Sequence, residues 1–417
     1  MKEKINNLPV LFLFGMLLCC IDIVNIDLGG FKLKLAYVGF AGYLAAFAYF
    51  YGFSFNWRNF SVAAILLASF FPSLLLSTNL KISMAFYAGT FMCIVIMLIF
   101  AKMTRGMGGG IIELMMIFYR FTVLLTAALV MLRLQERGHF LFYEASYYAI
   151  ALIPYYCITF YRMFNFGIKS AMVDLFFIFA AIILSQSVSM VLWSSASFML
   201  LYFKSGRAKI IHFVSVLVVL FLFISILYQF NNRAKNIVDA LIEMFKDPTQ
   251  YLNVLILIGG NRLQRMFIAY DAFMTHPWFG VGIGALRAYS VMYFRTDNFD
   301  LDGLTASDFS ADINATNVFL EVAAETGIIG LIGFMVILVF VCRKRENSEM
   351  LSPIKVAFYM TMIALLIESS YLRPYVWALY GIIIGLSSIR DSESLKFSLM
   401  PQRLKKKMLT LSSKTTS

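Results

Sequence analysis

The sequence predicts an all-α polytopic membrane protein of about twelve transmembrane helices with one large outer loop, and three observations carry that prediction. Apolar residues fill 61% of the 417 positions and charged residues only 14%, against about 45–50% and 25% in soluble domains. The apolar residues gather into runs of about 20, the length that crosses a bilayer. Lys and Arg concentrate in alternate connections, as cytoplasmic loops require. A chain of this length and composition leaves no room for a separate soluble enzyme domain, so any chemistry lies at or in the membrane.

The first run, Leu8 to Ile26, follows Lys2 and Lys4 as a signal peptide would. It lacks a small-residue cleavage site and contains Asp22, with Asp27 at its end, so it reads as a retained helix over 8–27. Further runs predict crossings at 35–53, 60–78, 83–101, 111–132, 146–162, 170–186, 188–204 and 210–228, and then at 317–341, 354–370 and 373–389. Only Ser185, Gln186 and Ser187 separate the seventh from the eighth. Fusing that pair would reverse every later loop. With the N-terminus inside, the cytoplasmic loops and tails hold 21 Lys and Arg and the short outer loops six, a bias that holds on both sides of the hairpin. The formal charge of +12 therefore reflects topology rather than a nucleic-acid footprint. Both termini are predicted cytoplasmic.

Four regions follow: an N-terminal bundle of about nine helices over 1–228, the outer loop over 229–316, three helices over 317–389, and a basic tail over 390–417. The tail, with Arg403 and Lys405 to Lys407, reads as a disordered orientation signal that meets anionic headgroups. The outer loop holds seven basic and nine acidic residues. Its pattern predicts a short helix at 236–246, an apolar stretch at 251–258, and an amphipathic helix at 261–275 stopped by His276-Pro277. Its apolar and aromatic content argues against disorder.

The five cysteines (Cys19, Cys20, Cys93, Cys157, Cys342) fall inside or at the ends of apolar runs without metal-ligand spacing, and read as small hydrophobes. A Walker loop, a His-Glu-x-x-His helix, a strand-bound glycine fingerprint and a Gly-x-Ser-x-Gly elbow are all missing. No metal and no cofactor is expected. The glycines at 106 and 108 to 110 read as a flexible connector.

Two patterns stand out. Arg262 and Arg265, three apart, share a face of the amphipathic helix, and Gly280, Gly282 and Gly284 form a Gly-x-Gly-x-Gly run after His276-Pro277. Arginine forks suit phosphate oxygens, and such glycines let backbone N–H groups approach a ligand. The plainer alternative pairs the arginines with Asp271 or lipid headgroups and leaves the glycines to turn the chain. Asn317-Val318-Phe319-Leu320-Glu321 then leads through Glu325 and Gly327 into a crossing helix, with both carboxylates on one face near the outer mouth of the membrane. As a bland reading, they complement the helix dipole. Arg120, two turns from Glu113, is a further diphosphate contact or half of a structural ion pair whose acid is Asp22 or Asp174.

An arginine, then His-Pro-x-x-Gly-x-Gly-x-Gly, then Asn-x-x-Leu-Glu-x-x-x-Glu-x-Gly-x-x-Gly entering a helix resembles the O-antigen ligase and polymerase superfamily of bacterial envelopes. The motifs cover about 261 to 341. The resemblance implies a type C glycosyltransferase-like fold in the bacterial inner membrane, with the outer loop in the periplasm. It implies a metal-independent enzyme of lipopolysaccharide biosynthesis acting on undecaprenyl-diphosphate-linked oligosaccharide, with a chain-length regulator as a further partner and no nucleic acid. The family arginine falls on Arg262. Where ligases carry His-Asn this chain has Thr316-Asn317, and the family's Ser-Arg pair is Ser187-Val188 here.

These departures favour an O-antigen polymerase over a ligase that transfers polysaccharide to lipid A-core. A lipid-linked sugar flippase or secondary transporter is the alternative of another class, weakened because no internal repeat is visible. The expected roles are Arg262, with Arg265 and Arg120, on the diphosphate and Glu321 as general base, Asp308 and Asp312 being alternative bases. Gly280, Gly282, Gly284, Asn317 and Glu325 complete the expected substrate contacts.

Overall fold

The computed structural model of the chain describes residues 7–23, 25–27, 32–52, 56–205, 261–293, 315–344, 351–368 and 371–389, with isolated positions between 228 and 247. The expected crossing at 210–228 and the expected helix at 236–246 are described only at isolated positions, and the stretch 251–258, Asp308, Asp312 and the basic tail lie outside the described residues.

The described residues form fourteen helices and one hairpin. In chain order they are α1 (Leu8–Cys19), β1 (Asn25–Asp27), β2 (Lys32–Lys34), α2 (Leu35–Tyr51), α3 (Trp57–Leu75), α4 (Leu80–Met107), α5 (Gly110–Met131), α6 (Ala145–Ala151) and α7 (Ile153–Phe166). There follow α8 (Ile168–Ser185), α9 (Val188–Lys204), α10 (Asn261–Thr275), α11 (Leu286–Tyr293), α12 (Val318–Cys342), α13 (Leu351–Ala364) and α14 (Pro374–Leu386). Five of them, α3, α4, α5, α8 and α12, are long and apolar enough to cross a membrane. Large apolar side chains such as Leu124, Phe176 and Ile183 are more than half exposed on them, which water would penalise and lipid does not. The protein is a polytopic, helical membrane protein.

Several boundaries differ from the sequence expectation, each for a polar reason. The first crossing does not continue to residue 27: α1 stops at Cys19, and 25–27 pair antiparallel with 32–34, Ile26 opposite Leu33. Asp22 causes the early exit, because its amide donates to the Leu141 carbonyl at 2.9 Å and its carboxylate pairs with Arg373. The run at 146–162 is split into α6 and α7 at Leu152, just before Pro154. In contrast, the expected separation of 170–186 from 188–204 holds, the two helices being parted by Gln186 in the left-handed conformation at φ 48. α13 ends at Ala364, where the Leu365 carbonyl accepts from the amide of Val318 at 2.9 Å and so ties this end to the start of α12.

Small residues allow the closest helix pairings, as membrane bundles require. α14 lies against α4 with Gly381 over the Met97 carbonyl and Gly385 over Thr104, and α12 lies against α3 with Gly333 over Ser69. Most helices share one apolar core. A second, smaller core of Ile268, Ala269, Ala272, Val281, Leu286, Tyr289, Ala315 and Ala324 joins α10 and α11 to the first turns of α12. The candidate site is built around it.

Candidate functional site

α12 starts on Asn317, whose side-chain oxygen accepts from the amides of Phe319 at 3.0 Å and Leu320 at 3.1 Å. This N-cap satisfies two donors that a helix start leaves open. Two turns later the helix breaks at Gly327, which has φ 66. The break frees the carbonyls of Ala324 and Glu325 and the amides of Ile328 and Ile329, groups that would be costly to leave unpaired inside a membrane protein.

The loop after α10 satisfies them. The amide of Val281 donates to the Ala324 carbonyl and that of Gly282 to the Glu325 carbonyl, both at 3.0 Å, while the amide of Ile328 donates to the Pro277 carbonyl at 2.8 Å. Loop and broken helix thus replace each other's missing hydrogen bonds. The approach is so close that a methyl at Gly280 would strike the Glu325 backbone, and one at Gly327 would strike the Trp278 backbone. Gly280 and Gly327 also have positive φ, so both space and conformation demand glycine.

Hydroxyls from the end of α3, the start of α4 and the turn between them support the loop from the other side. Ser73 donates to the Glu325 carbonyl at 2.6 Å, Thr78 to the Val281 carbonyl at 3.1 Å, and Ser83 to the Ile283 carbonyl at 2.7 Å.

Within this frame the Glu325 side chain is buried, 3% exposed. Its carboxylate accepts from the backbone amides of Gly284 and Leu286 and from the Tyr371 hydroxyl, the last at 3.1 Å. Burial, with Glu325 and then Glu321 nearby, pushes the Tyr371 phenol well above its ordinary range, so it remains a donor. Glu321, one turn earlier, is 2% exposed and interacts within the protein. Asp271 on α10 accepts from the Tyr289 hydroxyl at 3.0 Å, and His276 lies edge-on to the Tyr289 ring.

The expected site residues therefore divide. Gly280, Gly282, Gly284, Asn317, Glu321 and Glu325 come together at one end of α12, with α10 packed beside them. Arg262 stands in the first turn of α10, its side chain outside the described residues, and Arg265 is half-buried one turn on. Amide donors of the glycine run, at Gly282 and Gly284, are committed to Glu325 within the protein. Arg120 is elsewhere: its guanidinium makes a two-pronged contact with Asp174 at 2.7 and 3.0 Å, Tyr155 adds a hydrogen bond to the same carboxylate at 2.9 Å, and Arg162 approaches it at 3.8 Å. The other candidate acid, Asp22, is taken by Arg373, whose guanidinium also lies 3.6 Å from the Tyr147 ring centre. Ser73, Ser83 and Tyr371 were not anticipated. The one sequence signal for Tyr371 is its polar connection, Glu368 to Arg373, between two apolar runs.

A glycine-clamped, broken helix carrying two buried carboxylates marks the span to compare with known proteins. Residues 174–335 match the family model described as O-antigen ligase. The matched span runs from within α8 to within α12 and contains the glycine loop and both carboxylates. It supports surface-polysaccharide assembly as the class of function. No curated protein matches the chain. Among the described residues no group of three or more His, Cys, Asp or Glu could hold a metal ion.

Proposed function

We propose that the protein is an O-antigen or related surface-polysaccharide polymerase, joining undecaprenyl-diphosphate-linked repeat units at the periplasmic face by an inverting, metal-independent transfer. One observation carries the reading: the glycine loop docked on the broken α12 gathers Glu321 and Glu325 beside the helix that bears Arg262 and Arg265. The family match over 174–335 supports the same class of chemistry.

In the reaction, the non-reducing-end hydroxyl of an incoming lipid-linked unit attacks the anomeric carbon of the growing chain, and undecaprenyl diphosphate leaves with the bonding pair. Glu321 takes the hydroxyl proton as general base. Arg262 and Arg265 meet the charge that develops on the departing diphosphate. Glu325 acts differently. Its carboxylate already holds the amides of Gly284 and Leu286 and the Tyr371 hydroxyl, so it positions the loop. Asn317 fixes the helix start that presents Glu321. Arg120 is assigned to the bundle with Asp174, and the glycines to close packing.

The test is the polysaccharide ladder on a gel. Glu321→Gln and Arg262→Ala strains with unchanged protein abundance are expected to show core plus a single repeat unit. Normal-length ladders from both would overturn the assignment. A second reading, ligase, is favoured by the description of the matched family and opposed by Thr316 where ligases carry histidine. Bare core without any repeat unit in the deletion strain would select it, and accumulation of lipid-linked units on the cytoplasmic side would select a flippase.

A further inference from the structure

A cavity lies away from the carboxylates. A cleft of about 1080 Å³ opens between α3, α4, α12 and α14 and runs along α12 from Ile328 to Lys344. Its floor is a helical stripe, Ile328, Ile332, Met335 and Val339, spaced three and four apart so that one apolar face lines the whole length. Ile332, Met335 and Val339 are 56%, 41% and 42% exposed, so protein covers only part of that face. At 1.5 Å per residue the stripe extends roughly 17 Å, slightly longer than half of a hydrocarbon core about 30 Å thick.

One end is cationic. Arg58, Lys102, Arg105, Arg343 and Lys344 line it, and no Asp or Glu occurs among the described residues that line the cleft. Lys102 is held in place by the carbonyls of Tyr51 and Gly52, each at 2.9 Å. Lys344 rests on the Phe340 ring at 3.9 Å, and burial together with the neighbouring Arg58 holds its ammonium below the ordinary lysine range. Asn56, Asn59, Ser387 and Ser388 add neutral hydrogen-bonding groups at the rim. Cations gathered from three helix ends around an apolar channel repel one another, and an anion among them relieves that repulsion.

We infer that this cleft is a binding site for an anionic phospholipid of the surrounding leaflet, its phosphate among Arg58, Arg343 and Lys344 and an acyl chain along the α12 stripe. In the orientation predicted from the Lys and Arg distribution, that leaflet is the cytoplasmic one, opposite the carboxylate site. The occupant is matched by charge at one end and by chain at the other, which a soluble phosphate is not. The site is independent of the proposed glycosyl transfer.

The full chain in mild detergent is titrated separately with dioleoylphosphatidylglycerol and dioleoylphosphatidylcholine, and bound lipid is counted by native mass spectrometry. Bound phosphatidylglycerol is expected to exceed phosphatidylcholine by about tenfold. Arg58→Gln/Arg343→Gln/Lys344→Gln abolishes the preference, whereas Arg137→Gln/Lys169→Gln/Lys204→Gln, removing equal charge elsewhere, retains it. Met335→Trp, which fills the channel and leaves every cation, lowers phosphatidylglycerol binding at least fivefold and stands alone if the triple variant does not fold. Equal binding of the two lipids, equal loss in the control triple, or unchanged binding in Met335→Trp overturns the inference. So does displacement of phosphatidylglycerol by equimolar undecaprenyl phosphate, which would give the cleft to a polyprenyl lipid.

Discussion

Gly327 is the residue on which the site turns. Its positive φ breaks α12, and the exposed carbonyls and amides of the break are what the glycine loop binds. An alanine there meets two penalties: about 1–3 kcal/mol for a backbone at φ 66 and ψ −171, a region open essentially to glycine alone, and a collision with the Trp278 backbone. Gly327→Ala is therefore expected to lose ladder synthesis while still inserting in the membrane, measured by gel and by fractionation. Gly42→Ala, on α2, is a useful contrast, because its added methyl meets nothing within 4 Å and ladder synthesis is expected to be kept. Arg262 and the glycine pattern were legible in the sequence as residue types suited to a diphosphate. Where the glycine amides point was not, since spacing alone cannot distinguish an external phosphate from the protein's own carboxylate at Glu325.

Among the elements, α10 was the most readable. Its amphipathic pattern and the Pro277 stop predict 261–275, and the helix runs Asn261–Thr275. α1 was less so, because hydropathy sees an apolar run and not the partner of Asp22. Three helices, α5, α7 and α8, are locked by the Asp174 carboxylate, which receives Arg120, Tyr155 and Arg162. Removing one partner of a buried pair leaves uncompensated charge. Asp174→Asn is expected to destabilise by about 3 kcal/mol, the low end of that range because Arg120 keeps a third of its side chain exposed. Replacing the set together, Arg120→Met/Arg162→Met/Asp174→Leu, is expected to recover most of the loss. Thermal unfolding in detergent reads both, and equal stability of Asp174→Asn and the parent would remove the lock.

For the whole molecule, orientation is the quantity that links chemistry to compartment. The Lys and Arg bias predicts Arg343 and Lys344 on the cytoplasmic side and α10 with the glycine loop on the other. Single cysteines at exposed Met274 and exposed Arg343, each in a cysteine-free background, are expected to label from opposite sides of intact inner-membrane vesicles. Labelling from the same side would reverse or collapse the predicted topology. Composition and periodicity determined by themselves that this is a helical membrane protein and in which order its motifs stand. Only the tertiary structure decided that Ser73 meets Glu325 across 252 residues and that Tyr371 closes on the same carboxylate. The reason is physical: hydropathy and spacing act within a helix turn or a membrane thickness, whereas a buried carboxylate is satisfied by whichever donors packing brings to it.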